Sequence, residues 1–166
     1  MQKLITELTE RLTKTFSDRL VSVVLYGSAA AGEYDERFSD INVLCVLTQV
    51  TPMELRDSEA IFRWWRQKGN PAPLLLSEQE VQTSADCFPI EFHDMQERRR
   101  ILAGTDLIES LPLDDRYYRA QVEYQLRAKL LRLRQKAAGV LNDKALLRRL
   151  LMDSVSTFCV LFRHAL

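Results

Sequence analysis

Cysteine, histidine, glycine and proline are all scarce in this sequence: 3 Cys, 2 His, 5 Gly and 5 Pro in 166 residues. The cysteines Cys45, Cys87 and Cys159 are odd in number and show no C-x-x-C spacing, which excludes a disulfide framework and a zinc knuckle. Two histidines are too few for a histidine-rich metal site. So little Gly and Pro excludes collagen-like and low-complexity chains. No stretch approaches the ~18 uninterrupted apolar residues of a membrane helix. The opening Met1-Gln2-Lys3-Leu4-Ile5-Thr6-Glu7 places charges where a signal peptide needs its apolar core, so a cytoplasmic protein is expected. What is present, 46% hydrophobic and 28% charged residues, is the composition of one or two small globular domains.

Net charge is missing as well, because 23 Lys and Arg balance 23 Asp and Glu. The balance hides an asymmetry. Residues 1–114 carry 12 basic and 19 acidic side chains, and residues 115–166 carry 11 and 4. An acidic part of this size can hold divalent cations; a basic part can face an anionic ligand, a nucleic acid or the acidic part itself.

Hydrophobic periodicity orders the chain. Leu4, Leu8, Leu12 and Phe16, widened by Ile5, form one stripe of an amphipathic helix over the first twenty residues. The runs Leu20-Val21-Ser22-Val23-Val24-Leu25-Tyr26 and Ile41-Asn42-Val43-Leu44-Cys45-Val46-Leu47 read as strands buried on two faces, with Cys45 in the core. Thr51-Pro52-Met53-Glu54 combines an N-cap, a proline at the first helical position and a capping-box Glu, which predicts a helix to about residue 68. Of the adjacent Trp64 and Trp65, one should pack on the sheet and the other stay partly exposed. A short strand at 73–76, a short helix from Ser77 and a strand over Phe88-Pro89-Ile90-Glu91-Phe92 follow. Beyond Asp115 two helices are predicted, with stripes Val122, Leu126, Leu130, Leu133, Ala137 and Leu147, Leu151, Val155, Phe158, Phe162. Arg163-His164-Ala165-Leu166 ends inside the second pattern without a stop signal. A continuing chain, docking on the sheet domain or a homodimer through these C-terminal helices would each complete the bundle.

One stretch stands out for chemistry: Leu25-Tyr26-Gly27-Ser28-Ala29-Ala30-Ala31-Gly32, then Phe38-Ser39-Asp40-Ile41-Asn42. An apolar strand that breaks at Gly27-Ser28 into small residues exposes backbone N–H groups at a helical start, which suits an anion. Asp40 and Asn42, two apart at the opening of the next strand, point to the same side. A carboxylate and an amide oxygen there suit a hard cation such as Mg²⁺.

This string resembles the signature of the DNA polymerase β-like nucleotidyltransferase superfamily: an apolar strand, Gly-Ser, a gap of this length and Asp-x-Asp at the next strand. The resemblance covers roughly residues 20–94. It implies an α+β fold, a small mixed sheet with helices on one side followed by an antiparallel helix pair, with boundaries at 1–112 and 113–166. It also implies that Gly27, Ser28 and Gly32 bind the triphosphate of a nucleoside triphosphate such as ATP. Asp40, Asn42 and Glu91 would then hold Mg²⁺ or Mn²⁺, with Asp40 and Glu91 as the catalytic carboxylates. Glu91 corresponds to the family's third carboxylate; Asp94 competes for that part, and His93 reads as a surface or supporting residue.

Two departures bear on activity. Asn42 stands where the family has a second metal carboxylate, and Ala31 where many relatives have arginine. Three functions stay open. The chain transfers a nucleoside monophosphate to an unknown hydroxyl acceptor; or it binds nucleotide as an impaired sensor; or it is an antitoxin-like module for a helical protein partner. No Arg stands four to six residues before either His, so the nuclease motif of such a toxin is absent from the chain itself. Arg98-Arg99-Arg100 reads as the solvated start of a helix or as a bridge to acidic residues. Arg127, Arg134 and Arg148, with Arg132 and Lys136, should line the polar side of the helix pair.

Overall fold

A computed structural model describes residues 1–33, 40–113 and 115–165. The chain divides into two compact units, Met1–Leu113 and Asp114–Leu166. The first is built on a four-stranded sheet of β1 (Leu20–Tyr26), β2 (Asn42–Leu47), β3 (Leu74–Ser77) and β4 (Arg99–Gly104), in the order β3-β2-β1-β4. β1 pairs antiparallel with β2 and with β4, and β2 pairs parallel with β3, so the sheet is mixed.

Period-two alternation sorts the strands' side chains to two faces. Val23 and Leu25 of β1 and Val43, Cys45 and Leu47 of β2 meet α1 (Gln2–Phe16) and α2 (Pro52–Gln67). α1 contributes Ile5, Leu8, Leu12 and Phe16, and α2 contributes Ile61 and Trp65. The thiol of Cys45 is pushed up to about 12 by burial and stays protonated core. Trp65 is fully buried, while Trp64 lies half-exposed under the Arg11 guanidinium, 4.3 Å from its ring centre.

The other face is covered too, which departs from helices gathered on one side. Val24, Leu44 and Val46 pack against Val81 of α3 (Glu78–Thr83), Phe92 and Met95 of α4 (Pro89–Glu97), and Ile108 and Leu111. α4 occupies the stretch expected to be a strand. Pro89 takes the first helical position, where its missing N–H costs nothing, and Phe92 and Met95 at i, i+3 share the buried face. The strand that completes this part of the sheet is β4, ten residues later.

α2 begins as its capping box dictates. The Thr51 hydroxyl accepts the Met53 N–H at 3.2 Å, and Glu54 Oε2 accepts the Thr51 N–H at 3.0 Å. Glu54 is fully buried, and its other oxygen meets Arg19 at 2.8 Å, while Arg19 also reaches Asp57 at 2.9 Å. The Thr51 hydroxyl first, then the backbone N–H of Glu54 itself and Arg19, outweigh burial and hold the Glu54 carboxyl down at about 2 against an ordinary 4.5. A carboxyl depressed by folding stabilises the native state above its ordinary pKa and loses that contribution as pH falls through the depressed one. Glu54→Gln should therefore lower the melting temperature at neutral pH, and the gap to wild type should close between about pH 4.5 and about 2. Melting temperatures measured across that range check it.

The second unit is the helix pair α5 (Asp115–Ala138) and α6 (Lys144–Arg163), with Asp143 capping α6 through the N–H groups of Ala145 and Leu146, both at 3.0 Å. The predicted stripe of α5 is sheltered at Val122, Leu126, Leu133 and Ala137 and exposed at Leu130, whereas on α6 Leu151, Val155 and Phe162 of the predicted stripe are exposed and Leu161, outside it, is buried. On α6 the sheltered positions include Leu147, Leu150, Ser154, Phe158 and Leu161, with a serine in the middle. Among the described residues no helix is long and apolar enough to cross a membrane.

Candidate functional site

β1 runs extended through Tyr26 and turns at Gly27, whose φ of +75° suits glycine. The chain then makes a single 3-10 turn over Gly27–Ala29 where the sequence suggested the start of a longer helix. Gly27 O accepts from both Ala30 and Ala31 N–H at 3.0 and 3.1 Å, and Ser28 O accepts from Glu33 N–H at 3.0 Å. Ser28 is half-buried, and Gly32 sits exposed in the same turn. The approach to β2 through Phe38 and Ser39 lies outside the described residues.

The absence of a side chain at Gly27 leaves room for two others. A Cβ there would lie 3.4 Å from the amide nitrogen of Asn42 and 3.4 Å from Oδ2 of Asp94. The two polar atoms are therefore no farther apart than twice that distance, both beside the point where a Gly27 side chain would begin. Asn42 arrives from β2, where it is the register partner of Tyr26, and Asp94 arrives from α4. Sequence reasoning held Asp94 only as a competitor to Glu91, and the geometry places Asp94 against Gly27.

Glu91 stands in the first turn of α4 rather than on a strand, and is exposed. Three residues apart, Glu91 and Asp94 share one side of the helix. Both act on Tyr26, whose phenol is pushed up to about 12, by burial first and then by these two negative charges. Tyr26 thus remains a protonated hydroxyl beside two carboxylates. Asp40 is exposed just before β2 and makes no hydrogen bond or ion pair among the described residues. His93 is half-buried on α4 between the two carboxylates in sequence.

The Asp94 and Asp40 carboxylates, and the side-chain oxygen of Asn42, whose amide nitrogen is the atom beside Gly27, are hard donors that suit Mg²⁺ or Mn²⁺ over a thiophilic ion. Among the described residues, however, no three His, Cys, Asp or Glu side chains cluster as a metal-binding group.

Arg98, Arg99 and Arg100 separate to three partners. Arg98, which ends α4, donates to Glu33 at 2.7 Å, and its carbonyl accepts the Gly27 N–H at 3.0 Å. Arg99 pairs with Asp106 at 2.8 Å, and Arg100 donates to Gln2 at 3.1 Å. With Arg99 and Arg100 on β4, the triplet bridges acidic and polar groups and does not begin a helix.

Among solved structures, the spectinomycin adenyltransferase of Enterococcus faecialis, determined with ATP and spectinomycin, is similar over 86% of this chain and 73% of that one. The identity is 13% and the TM-score 0.57. A toxin–antitoxin structure with AMP-PNP is similar over 83% of this chain and 96% of that one, at 13% identity and a TM-score of 0.41. A Shewanella oneidensis complex of a tri-AMPylated HEPN toxin with its MNT antitoxin is similar over 86% and 98%, at 12% identity and 0.40. No protein-family model and no curated protein sequence matches the chain. With a four-stranded mixed sheet, a Gly-Ser turn at the end of β1 and a following helix pair, the fold is that of the DNA polymerase β-like nucleotidyltransferases.

Proposed function

We propose that the chain binds a nucleoside triphosphate together with a divalent cation at the Gly27 turn and transfers the nucleoside monophosphate to an acceptor hydroxyl, releasing pyrophosphate. The observation that carries this reading is the convergence of Asn42 and Asp94 on the bare backbone of Gly27. The polymerase β-like fold supports it. In such a transfer the acceptor oxygen bonds to the α-phosphorus, the bond to the β-phosphate oxygen breaks, and the acceptor proton passes to a carboxylate. Positioning and charge neutralisation supply most of the catalysis.

In this reading Gly27 and Ser28 present the backbone that receives the β- and γ-phosphates. Asp40, Asn42 and Asp94 hold the cation, which neutralises triphosphate charge. Asp94 takes the part of the third carboxylate, and Glu91 stands outside it as a further negative charge. Asn42 contributes an oxygen without a charge, so the cation is held by two carboxylates. Asn42→Asp should then tighten Mg²⁺-dependent triphosphate binding by roughly tenfold, and weaken binding without metal, because an added carboxylate repels a bare triphosphate.

Calorimetric titration with ATP, GTP, CTP and UTP, with and without Mg²⁺ or Mn²⁺, tests the proposal alongside pyrophosphate release. Metal-dependent binding with turnover is expected. Binding without turnover would leave a nucleotide sensor, and no binding by any of the four would leave a protein-interaction module.

A further inference from the structure

The polar side of the helix pair contains a cleft of about 240 Å³ between α5 and α6. From α5 it is lined by Lys129, Arg132 and Lys136, spaced i, i+3 and i+7 so that all three lie along one strip of the helix. Among the described residues none of the three has a salt-bridge or hydrogen-bond partner. Two other cations of the pair are engaged, Arg127 with Glu123 at 2.7 Å and Arg149 with Asp153 at 3.9 Å. Three like charges on one strip repel one another, and a helix surface gains nothing from them unless an anion comes between.

We propose that this cleft binds the phosphate backbone of a single-stranded nucleic acid. The strip from Lys129 to Lys136 is roughly 10 Å long, longer than a lone phosphate can bridge. Its two steps, each on the order of 5–6 Å between side-chain origins, suit consecutive phosphodiesters. The facing wall, from α6, is not charged in the same sense. Phe158 offers a half-buried aromatic ring on which a base can lie. The Ser154 hydroxyl donates to Leu150 O at 2.7 Å, and Thr157 also lines this wall. Asp153 also lines the cleft and opposes an anion there. A basic surplus of 11 over 4 in residues 115–166 surrounds the site, in a chain that is neutral as a whole, so the attraction is local.

The test is fluorescence anisotropy of labelled oligoadenylate with the whole chain in EDTA, so that metal-dependent nucleotide binding at Gly27 cannot contribute and the two proposals fail separately. Three phosphate contacts predict a log–log salt dependence with a slope of about −2. Lys129→Ala combined with Lys136→Ala should lower affinity about tenfold and bring the slope to about −1 or shallower, with helicity retained by circular dichroism. Asp153→Asn should raise affinity about twofold or more. Arg134→Ala with Arg148→Ala, which removes the same charge away from the cleft, should change affinity less than about twofold. No binding, or an equal loss in the Arg134 and Arg148 pair, would overturn the proposal; the second outcome would reduce it to diffuse attraction by net charge.

Discussion

Asp94→Asn should remove roughly 100-fold of the metal-dependent triphosphate affinity, while Glu91→Gln should change it less than about threefold. The two residues stand one helical turn apart on α4, so the comparison keeps charge, helix and distance along the chain nearly constant. They differ in place: Asp94 Oδ2 reaches the point 3.4 Å from a Gly27 Cβ, and Glu91 is exposed in the first turn. Because both charges also raise the Tyr26 pKa, each substitution should bring the phenol titration down from about 12, which an absorbance titration reads independently of nucleotide. A fall in that pKa certifies that the altered carboxylate was near Tyr26. If Glu91→Gln abolished nucleotide binding and Asp94→Asn did not, the third carboxylate would be Glu91 and the site would have to be rebuilt around it.

Gly104→Ala should be the most damaging single methyl addition in the sheet, costing on the order of 3 kcal/mol or more. Gly104 ends β4 opposite Ser22 with φ of +77°. A Cβ there would lie 2.0 Å from the Val21 carbonyl oxygen and 2.8 Å from its carbon, both backbone atoms of the adjoining strand. No rotamer can relieve a backbone clash, so either β4 moves off β1 or the left-handed turn is lost. The following N–H, of Thr105, bonds that same Val21 oxygen at 3.1 Å and would be displaced with it. Denaturant midpoints of wild type and variant measure the cost, and a variant within about 1 kcal/mol of wild type would show that β4 shifts freely.

How far the sequence could be read follows from these same elements. β1 and β2 were legible because nearly continuous apolar runs, the first ending at Gly27, leave few alternatives, and α2 because Thr51, Pro52 and Glu54 specify a helix start atom by atom. α4 was not, because five residues with Phe88, Ile90 and Phe92 fit a period of two as well as a turn of helix. The deciding contact, Phe92 with Met95 on the buried face, falls beyond that window. β4 was hidden by its own beginning, since Arg99 and Arg100 mask an apolar strand, and their side-chain partners, Asp106 and Gln2, fall outside any period of two. The site inherited this. Gly27, Asp40 and Asn42 could be found from spacing alone, but the choice between Glu91 and Asp94 depends on whether the segment is strand or helix. The helix pair shows the same limit on α6, where spacing identified an apolar row and packing sheltered Leu150, Ser154 and Leu161 in place of Leu151, Val155 and Phe162.

Arg98 gives the Gly27 turn a property that no ligand has to confer. Its carbonyl holds the N–H at the start of the turn, and its guanidinium holds Glu33 at the end, while its own chain position closes the helix that carries Asp94. The turn is thus tethered at both ends to one residue, and that residue moves with α4. A group arriving at Gly27 meets a rim already set in place, so the entropy of ordering it is settled during folding and not at the moment of binding.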